Sequence, residues 1–360
     1  MNSGPIAELK RRIGLDVLTS AVASDQFVEI DGRKLFFQEA GDPTCPPVVF
    51  FHGAGCRPSL LPPLLGGLAR RGLFAVAPEH PGMGRSEHLP AYQPDLFRRY
   101  ALAYYRFLRS RRLRHPILVA QSFGGGPAHA LAALTLEGLE DQRKEESDVG
   151  DYRPGALVLV DCFMGQSPAR SGLSGLYGFF LRNLRLLLRV PSKRLRGLLT
   201  SFFTGTPAEH YTCDIAADGD LAAALGVVFA AFARGSAPVS MDYASFVLSG
   251  HPRPLILVWG EKDGTRLLDH GEWGTRLTAI GDARALYERV VHEVADRLAA
   301  NAKLGRSAAL DRAKDLVRMS VIPNSGHAGL YTRSHMDRYL DEIVNHLRGA
   351  GVLSEHRSTR

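Results

Sequence analysis

Short, continuous apolar runs alternate along the chain with stretches in which apolar residues recur every three or four positions. Phe27 to Ile30 and Lys34 to Gln38 flank Asp31-Gly32, a dipeptide whose two residues tolerate positive φ, and this predicts an antiparallel hairpin. The run Pro47 to Phe51 is apolar throughout, as expected of a strand covered on both faces. A helical pattern follows over Ser59 to Arg71, then a strand over Leu73 to Ala77, a helix over Leu96 to Leu113 and a strand over Pro116 to Ala120. A helix from Ser122 to about Leu139 comes next, then strands over Ala156 to Val160, Pro254 to Trp259 and Arg318 to Ile322, and a closing helix over Met336 to Leu347. Repeated strand-helix units predict an α/β architecture: a mostly parallel, doubly wound sheet with an N-terminal antiparallel hairpin.

Two intervals are too long for a simple crossover of about 30 residues. The first, 163–250, is rich in Phe, Leu and Tyr and predicts a helical cap inserted after the sixth strand. The second, 265–316, reads as an extra helical insertion within the core, and its charged pattern from Asp282 to Lys314 predicts two solvated helices. The core then comprises 26–162 and 251–350, preceded by a short amphipathic helix and tether at 1–25 and followed by a tail at 351–360; Glu140 to Asp151 reads as an exposed loop.

Composition changes the picture mainly by exclusion. With 360 residues, 45% hydrophobic and 22% charged, the chain has material for one large, elaborated globular domain. Its net charge of +7 raises the question of nucleic acid, but 37 Arg and 7 Lys are spread among 37 acidic residues without a nucleic-acid-binding motif, so no such partner is expected. The longest uncharged apolar stretch, Leu221 to Ala233, falls short of the ~20 residues of a membrane span. Lys10, Arg11 and Arg12 precede no secretory apolar run. Cys45, Cys56, Cys162 and Cys213 form no CxxC pair and suit reduced thiols. A cytoplasmic protein is the expectation.

The chemistry concentrates at strand ends. The strand ending at Ala120 runs through Gln121-Ser122-Phe123-Gly124-Gly125-Gly126 directly into a helix. In that context Ser122 is placed as a nucleophile elbow, with Ala120 at the position where Gly is usual. A serine hydroxyl needs a base, and the base an orienting acid. Asp263 follows the strand ending at Trp259, and His327 follows the strand ending at Ile322, which gives the order Ser122, Asp263, His327 at the carboxyl ends of parallel strands, where open α/β sheets bind ligands.

These motifs resemble those of the α/β-hydrolase-fold superfamily, over about residues 26–350. His52-Gly53-Ala54-Gly55 is similar to that family's oxyanion loop, and Glu79-His80-Pro81-Gly82-Met83-Gly84-Arg85-Ser86 to its acidic-x-x-Gly-x-Gly-x-Ser loop. The resemblance implies that the backbone N–H groups of Ala54 and Phe123 form an oxyanion hole. Asp161, at the preceding strand end, is the alternative position for the acid. His52 and His80 read as hydrogen-bonded supporting residues, and Cys56 and Cys162 as small buried hydrophobes. The substrate pocket is expected to be lined by His52, Gly53, Gln121, Phe163, Phe179 and Phe180, with the cap setting acyl-chain preference.

The expected activity is hydrolysis of a carboxylic ester of a hydrophobic small molecule, with no metal or other cofactor required. Serine at the elbow argues against dehalogenase and epoxide-hydrolase chemistry, for which similar families use aspartate there. Proline-iminopeptidase-like amide cleavage is the alternative enzymatic reading, since the elbow resembles that group; its His-Gly-Gly-Pro-Gly pattern is absent. A ligand-binding receptor and an acyl-transferring enzyme are further alternatives on the same fold. Within the cap, Arg182, Arg185, Arg189 and Arg196 with Lys193 share a helical spacing interrupted by Pro191. A peripheral contact with anionic lipid is one reading of this Arg182 to Arg196 helix, and the solvated face of a cap helix is the simpler one.

Overall fold

The hairpin forms where the turn chemistry places it. In the computed structural model Asp31 (φ 53°) and Gly32 (φ 70°) both adopt left-handed backbone and join β1 (Ser24–Ile30) to β2 (Arg33–Ala40), with Ile30 opposite Arg33. The structure describes residues 23–53, 60–87, 96–136, 152–162, 210–212, 241–249, 253–263, 280–302 and 304–353.

Six further strands follow: β3 (Pro47–Phe51), β4 (Phe74–Pro78), β5 (Ile117–Gln121), β6 (Ala156–Val160), β7 (Leu255–Gly260) and β8 (Val317–Ile322). They complete an eight-stranded sheet in the order β1-β2-β4-β3-β5-β6-β7-β8. β2 meets β4 antiparallel, and every pairing from β4 to β8 is parallel.

Helices cover both faces, which explains why the central strands read as unbroken apolar runs. α1 (Leu61–Ala69) and α7 (Met336–Gly349) bury Leu61, Leu64, Tyr339 and Ile343 on the face that receives Val48, Phe50, Ile117 and Val119. On the opposite face α2 (Leu96–Arg111) and α3 (Gly125–Leu136) pack Tyr100, Tyr104 and Leu131 against Val49, Phe51, Leu118 and Ala120. Successive side chains of each strand alternate between the two cores.

Three features differ from the sequence reading. The helix expected from Ser122 opens as a 3-10 turn, Ser122–Gly124, before α3 begins. The charged segment forms α5 (Ile280–Ala302) and α6 (Arg306–Leu316), but these are not simply solvated. Ala283, Leu286, Val290, Val291 and Val294 are buried, and α5 packs on β7 and β8, so only its outward face is charged. Finally, α4 (Tyr243–Leu248), at the end of the 163–250 segment, buries Tyr243, Ala244, Phe246 and Val247 in the core shared with α3 and α5. Asp242 caps it by accepting from the Ser245 N–H, and Arg297 of α5 bonds the same carboxylate at 2.8 Å. Apart from 210–212 and 241–249, the expected cap lies outside the described residues. Among the described residues, no helix is long and apolar enough to cross a membrane.

Candidate active site

Four loops converge at the carboxyl ends of β3, β5, β7 and β8. After β5 the chain reverses so tightly that Ser122 takes φ 52°, a left-handed conformation that costs a serine roughly 1 kcal/mol or more. Glycine makes the turn possible: a Cβ on Gly124 would stand 2.6 Å from the Phe51 carbonyl carbon and 2.9 Å from the His52 oxygen. Close passage of the strand ends therefore depends on Gly124, while Ala120 is accommodated within the core. Gly53 approaches Ser122 in the same way, its missing Cβ falling 3.1 Å from Ser122 Cβ.

The loops after β7 and β8 are bound to each other by backbone. Lys262 N–H donates to Ser325 O at 2.8 Å and Glu261 N–H to Ile322 O at 2.9 Å. The Glu261 carboxylate accepts from Asn324 N–H at 2.8 Å. Asp263 and His327 are thereby fixed in register. His327 Nε2 lies 2.9 Å from Ser122 Oγ, and Nδ1 lies 3.2 and 3.3 Å from the two carboxylate oxygens of Asp263. With Nδ1–H donating to the acid, Nε2 is free to accept from the serine hydroxyl. Asp263 is buried, whereas His327 keeps 23% of its side chain exposed, so a substrate can reach the imidazole. Burial opposes the imidazolium, but the charge of Asp263, its hydrogen bond and then the charge of Asp161 outweigh that and raise His327 to about 9.

Asp161 occupies a different position. It is fully buried at the end of β6, with φ 45°; its Oδ1 accepts from Gly260 N–H at 2.7 Å and its Oδ2 from the Tyr339 hydroxyl at 2.9 Å. Burial first, then repulsion from Asp263, push its carboxyl well above the usual range. Its two oxygens tie β6 to β7 and α7, and the carboxylate within hydrogen-bond distance of His327 Nδ1 is that of Asp263.

A second polar cluster lies beneath the β3 loop. His80 N–H donates to His52 Nε2 at 3.2 Å, so His52 carries its proton on Nδ1, which donates to Gly53 O at 2.9 Å. His80 Nε2–H donates to His52 O at 2.8 Å, and its Nδ1 accepts from the Tyr104 hydroxyl. Burial lowers both imidazoles, His52 to about 4, so both are neutral and their tautomers are fixed by partners. Glu79 closes the next loop: Oε2 accepts from Arg85 N–H at 2.6 Å, and a Cβ on Gly84 (φ 56°) would meet that oxygen at 2.5 Å. Burial raises Glu79 to about 7 against the pull of the Arg85 N–H and guanidinium.

Of the pocket residues expected from sequence, His52, Gly53 and Gln121 are buried beside Ser122 with polar atoms bonded to the protein. Ala54, Cys56, Phe163, Phe179, Phe180 and the Arg182 to Arg196 helix lie outside the described residues. Phe123 is buried against His80 and Phe97, and Cys162 is a buried thiol bonded to Ala120 O. Tyr104, Tyr331 and Tyr339 were not anticipated, although a tyrosine on an otherwise apolar helix face, as at Tyr100 and Tyr104, signals a hydroxyl that needs a partner. Among the described residues, no group of three or more His, Cys, Asp or Glu is arranged to hold a metal ion.

Comparison with known proteins places this geometry in a class. Residues 48–342 match the model of the alpha/beta hydrolase family, and the chain belongs to that family. No curated protein sequence matches it. Among solved structures it is similar to a bacterial membrane phospholipase A described as a virulence factor, at 18% identity and TM-score 0.59, covering 96% of this chain and 93% of that one. It also resembles a carboxylesterase of the thaumarchaeon Nitrososphaera gargenis, at 12% identity and TM-score 0.59, covering 91% and 99%. A third likeness is to an epoxide hydrolase of Vigna radiata, at 16% identity and TM-score 0.55, covering 90% and 98%. At these identities the likeness is one of fold, and the three titles span more than one chemistry.

Proposed function

We propose that the protein is a serine hydrolase that cleaves a carboxylic ester of a hydrophobic small molecule through an acyl-enzyme. The observation that carries this reading is the continuous chain from Ser122 Oγ to His327 Nε2 at 2.9 Å and from His327 Nδ1 to the buried carboxylate of Asp263. Ser122 Oγ attacks the ester carbonyl carbon while Nε2 takes its proton. The carbonyl oxygen becomes an oxyanion, received by the backbone N–H groups of Ala54 and Phe123. Collapse of the tetrahedral species breaks the bond to the alkoxide, which leaves as an alcohol with the proton returned by His327. Water then repeats the sequence on the acyl-serine and frees the carboxylic acid. Asp263 holds the imidazole in the productive tautomer throughout.

A hydroxyl at residue 122 within hydrogen-bond distance of His327 supports this chemistry over that of the epoxide-hydrolase likeness. Two of the three likenesses, the phospholipase A and the carboxylesterase, carry ester-cleaving names, in keeping with the proposal. The test is covalent labelling by a fluorophosphonate together with turnover of a chain-length series of p-nitrophenyl esters. Stoichiometric labelling at Ser122 and preference for apolar acyl groups are expected. Ser122→Ala abolishes labelling and lowers turnover about 10⁴- to 10⁶-fold with the fold retained. An alanine variant that still labels, or hydrolyses esters at the parent rate, would overturn the assignment.

A further inference from the structure

Two polar side chains that take no part in the proton path above join three of the four loops of the site. Gln121, the residue before the proposed nucleophile, is 2% exposed. Its Nε2 donates to the backbone carbonyl of His327 at 3.0 Å, and its Oε1 accepts from the Tyr331 hydroxyl at 3.3 Å. The same hydroxyl accepts from Gly53 N–H at 3.5 Å. One amide and one phenol thus span the nucleophile turn, the histidine loop and the loop that carries Gly53.

The backbone of Tyr331 is engaged as well. Thr212 N–H donates to Tyr331 O at 3.0 Å, Arg333 N–H donates to His210 O at 3.0 Å, and Tyr211 pairs antiparallel with Thr332. Tyr211 and Tyr331 are buried in the same core cluster, where Tyr331 stands edge-on to Phe50. The segment between β6 and β7 therefore meets the core beside the residue whose hydroxyl holds the site loops together.

We propose that Tyr331 and Gln121 are positioning residues that set the separation of the nucleophile, the base and the oxyanion loop, and that the His210–Thr212 bridge makes this separation responsive to the segment between β6 and β7. The proposal rests on the serine-hydrolase reading of the site. It differs from a purely structural role in one respect: the hydroxyl of Tyr331 can be removed with its ring left in place, so packing against Phe50 survives while the link to Gln121 and Gly53 is lost. A displacement of about 1 Å at a reacting atom costs up to 10²-fold in rate.

The test measures the fluorophosphonate labelling rate at Ser122 and kcat and KM on a p-nitrophenyl ester, below the melting temperature. For Tyr331→Phe, labelling and kcat fall about tenfold to a hundredfold with KM nearly unchanged, because geometry at the reacting atoms is lost and not ground-state binding. Thr212→Pro, which deletes the N–H that donates to Tyr331, lowers both in the same sense. The double variant loses less than the product of the two, as expected of residues acting through one element. Gln121→Glu provides a route that does not depend on the stability of the tyrosine variant. The introduced carboxyl keeps an acceptor for Tyr331 but cannot donate to the His327 carbonyl once ionised, so labelling falls progressively further below that of the parent as pH rises. A parent protein that labels at Ser122, with Tyr331→Phe equally fast and Gln121→Glu following the parent pH profile, would overturn the positioning role. A Thr212→Pro variant at the parent rate would sever the bridge from it. A parent that does not label at all would overturn the hydrolase reading itself, and this inference with it.

Discussion

Two buried carboxylates lie close to His327, and their hydrogen bonds predict responses of very different size to the same isosteric change. In Asp263→Asn the amide can present either its oxygen or its NH2 to Nδ1, which now faces carboxylate oxygens at 3.2 and 3.3 Å. With NH2 in that place, the imidazole carries its proton on Nε2 and cannot accept from Ser122. Loss of this orientation in a Ser-His-Asp arrangement costs about 10⁴-fold in kcat, or about 5.5 kcal/mol. In Asp161→Asn the oxygen still accepts from Gly260 N–H, and the new NH2 donates to the Tyr339 oxygen. That hydroxyl can then turn its own proton toward Ser325 Oγ, 3.0 Å away. Each hydrogen bond that the carboxyl makes thus has a counterpart in the amide, and burial already opposes ionisation of this carboxyl. The expected cost is less than about tenfold in kcat, with little change in stability. Burst kinetics with a p-nitrophenyl ester, alongside melting curves for both variants, measure the two effects. If both fold and Asp161→Asn is the slower enzyme, the acid is Asp161 and the hydrogen-bond reasoning is refuted.

Burial opposes the His327 imidazolium but the charges of Asp263 and Asp161 prevail, raising it to about 9, so labelling by fluorophosphonate should increase with pH up to that region. In Asp263→Asn the inflection should move to lower pH, and an unmoved inflection would show that another group limits the rate. Because the folded value lies above the unfolded one of about 6.5, this group adds stability below about pH 6.5, which is lost as pH rises toward 9. Urea midpoints of the parent and His327→Gln at both ends of that range test the sign. For Gly124→Ala, ordinary contact begins near 3.4 Å, and the new methyl would sit 2.6 Å from the Phe51 carbonyl carbon, so the strand end must retreat roughly 1 Å. That should destabilise by about 1–3 kcal/mol and slow labelling about 10²-fold; parent-like melting and labelling would refute the close-approach account.

Residues with a one-to-one link between side chain and chemistry were legible in the sequence. Asp31-Gly32 announces its turn because few pairs tolerate two positive φ values, and Ser122, Asp263 and His327 stand out as polar residues just after apolar strands. Strand bounds move by a residue or so, as at Ile117–Gln121 against the expected Pro116 to Ala120. What could not be read is what depends on spatial neighbours. That β4 lies between β2 and β3 is a matter of sheet order, which periodicity along the chain does not carry. The buried stripe of α5 is diluted by Asp282, Arg284, Glu288 and Arg289, so its composition suggests solvent although Ala283, Val290 and Val294 are buried. The roles of Tyr104, Tyr331 and Tyr339 rest on hydrogen bonds to residues far away in sequence, as in Tyr339 to Asp161. Which of the two buried carboxylates points at His327 Nδ1 is a matter of side-chain direction, which the sequence does not carry.

The order in which the sheet can assemble has its own consequence. β6 pairs with β7 only after the chain from Asp161 to Pro254 has closed into a loop, and β8 adds to β7 across a further long interval. Contacts so distant in sequence carry a loop-closure entropy that must be met before pairing repays it, so this half of the sheet forms late. Ser122 belongs to the earlier half, and Asp263 with His327 to the later. Under the proposed function, a nascent or refolding chain with β3, β4 and β5 in place would carry an inert hydroxyl, and reactivity would arise only when the last strands dock. On the proposed function, covalent modification of Ser122 would in this sense report completed folding, and the site would stay silent in any intermediate that precedes it.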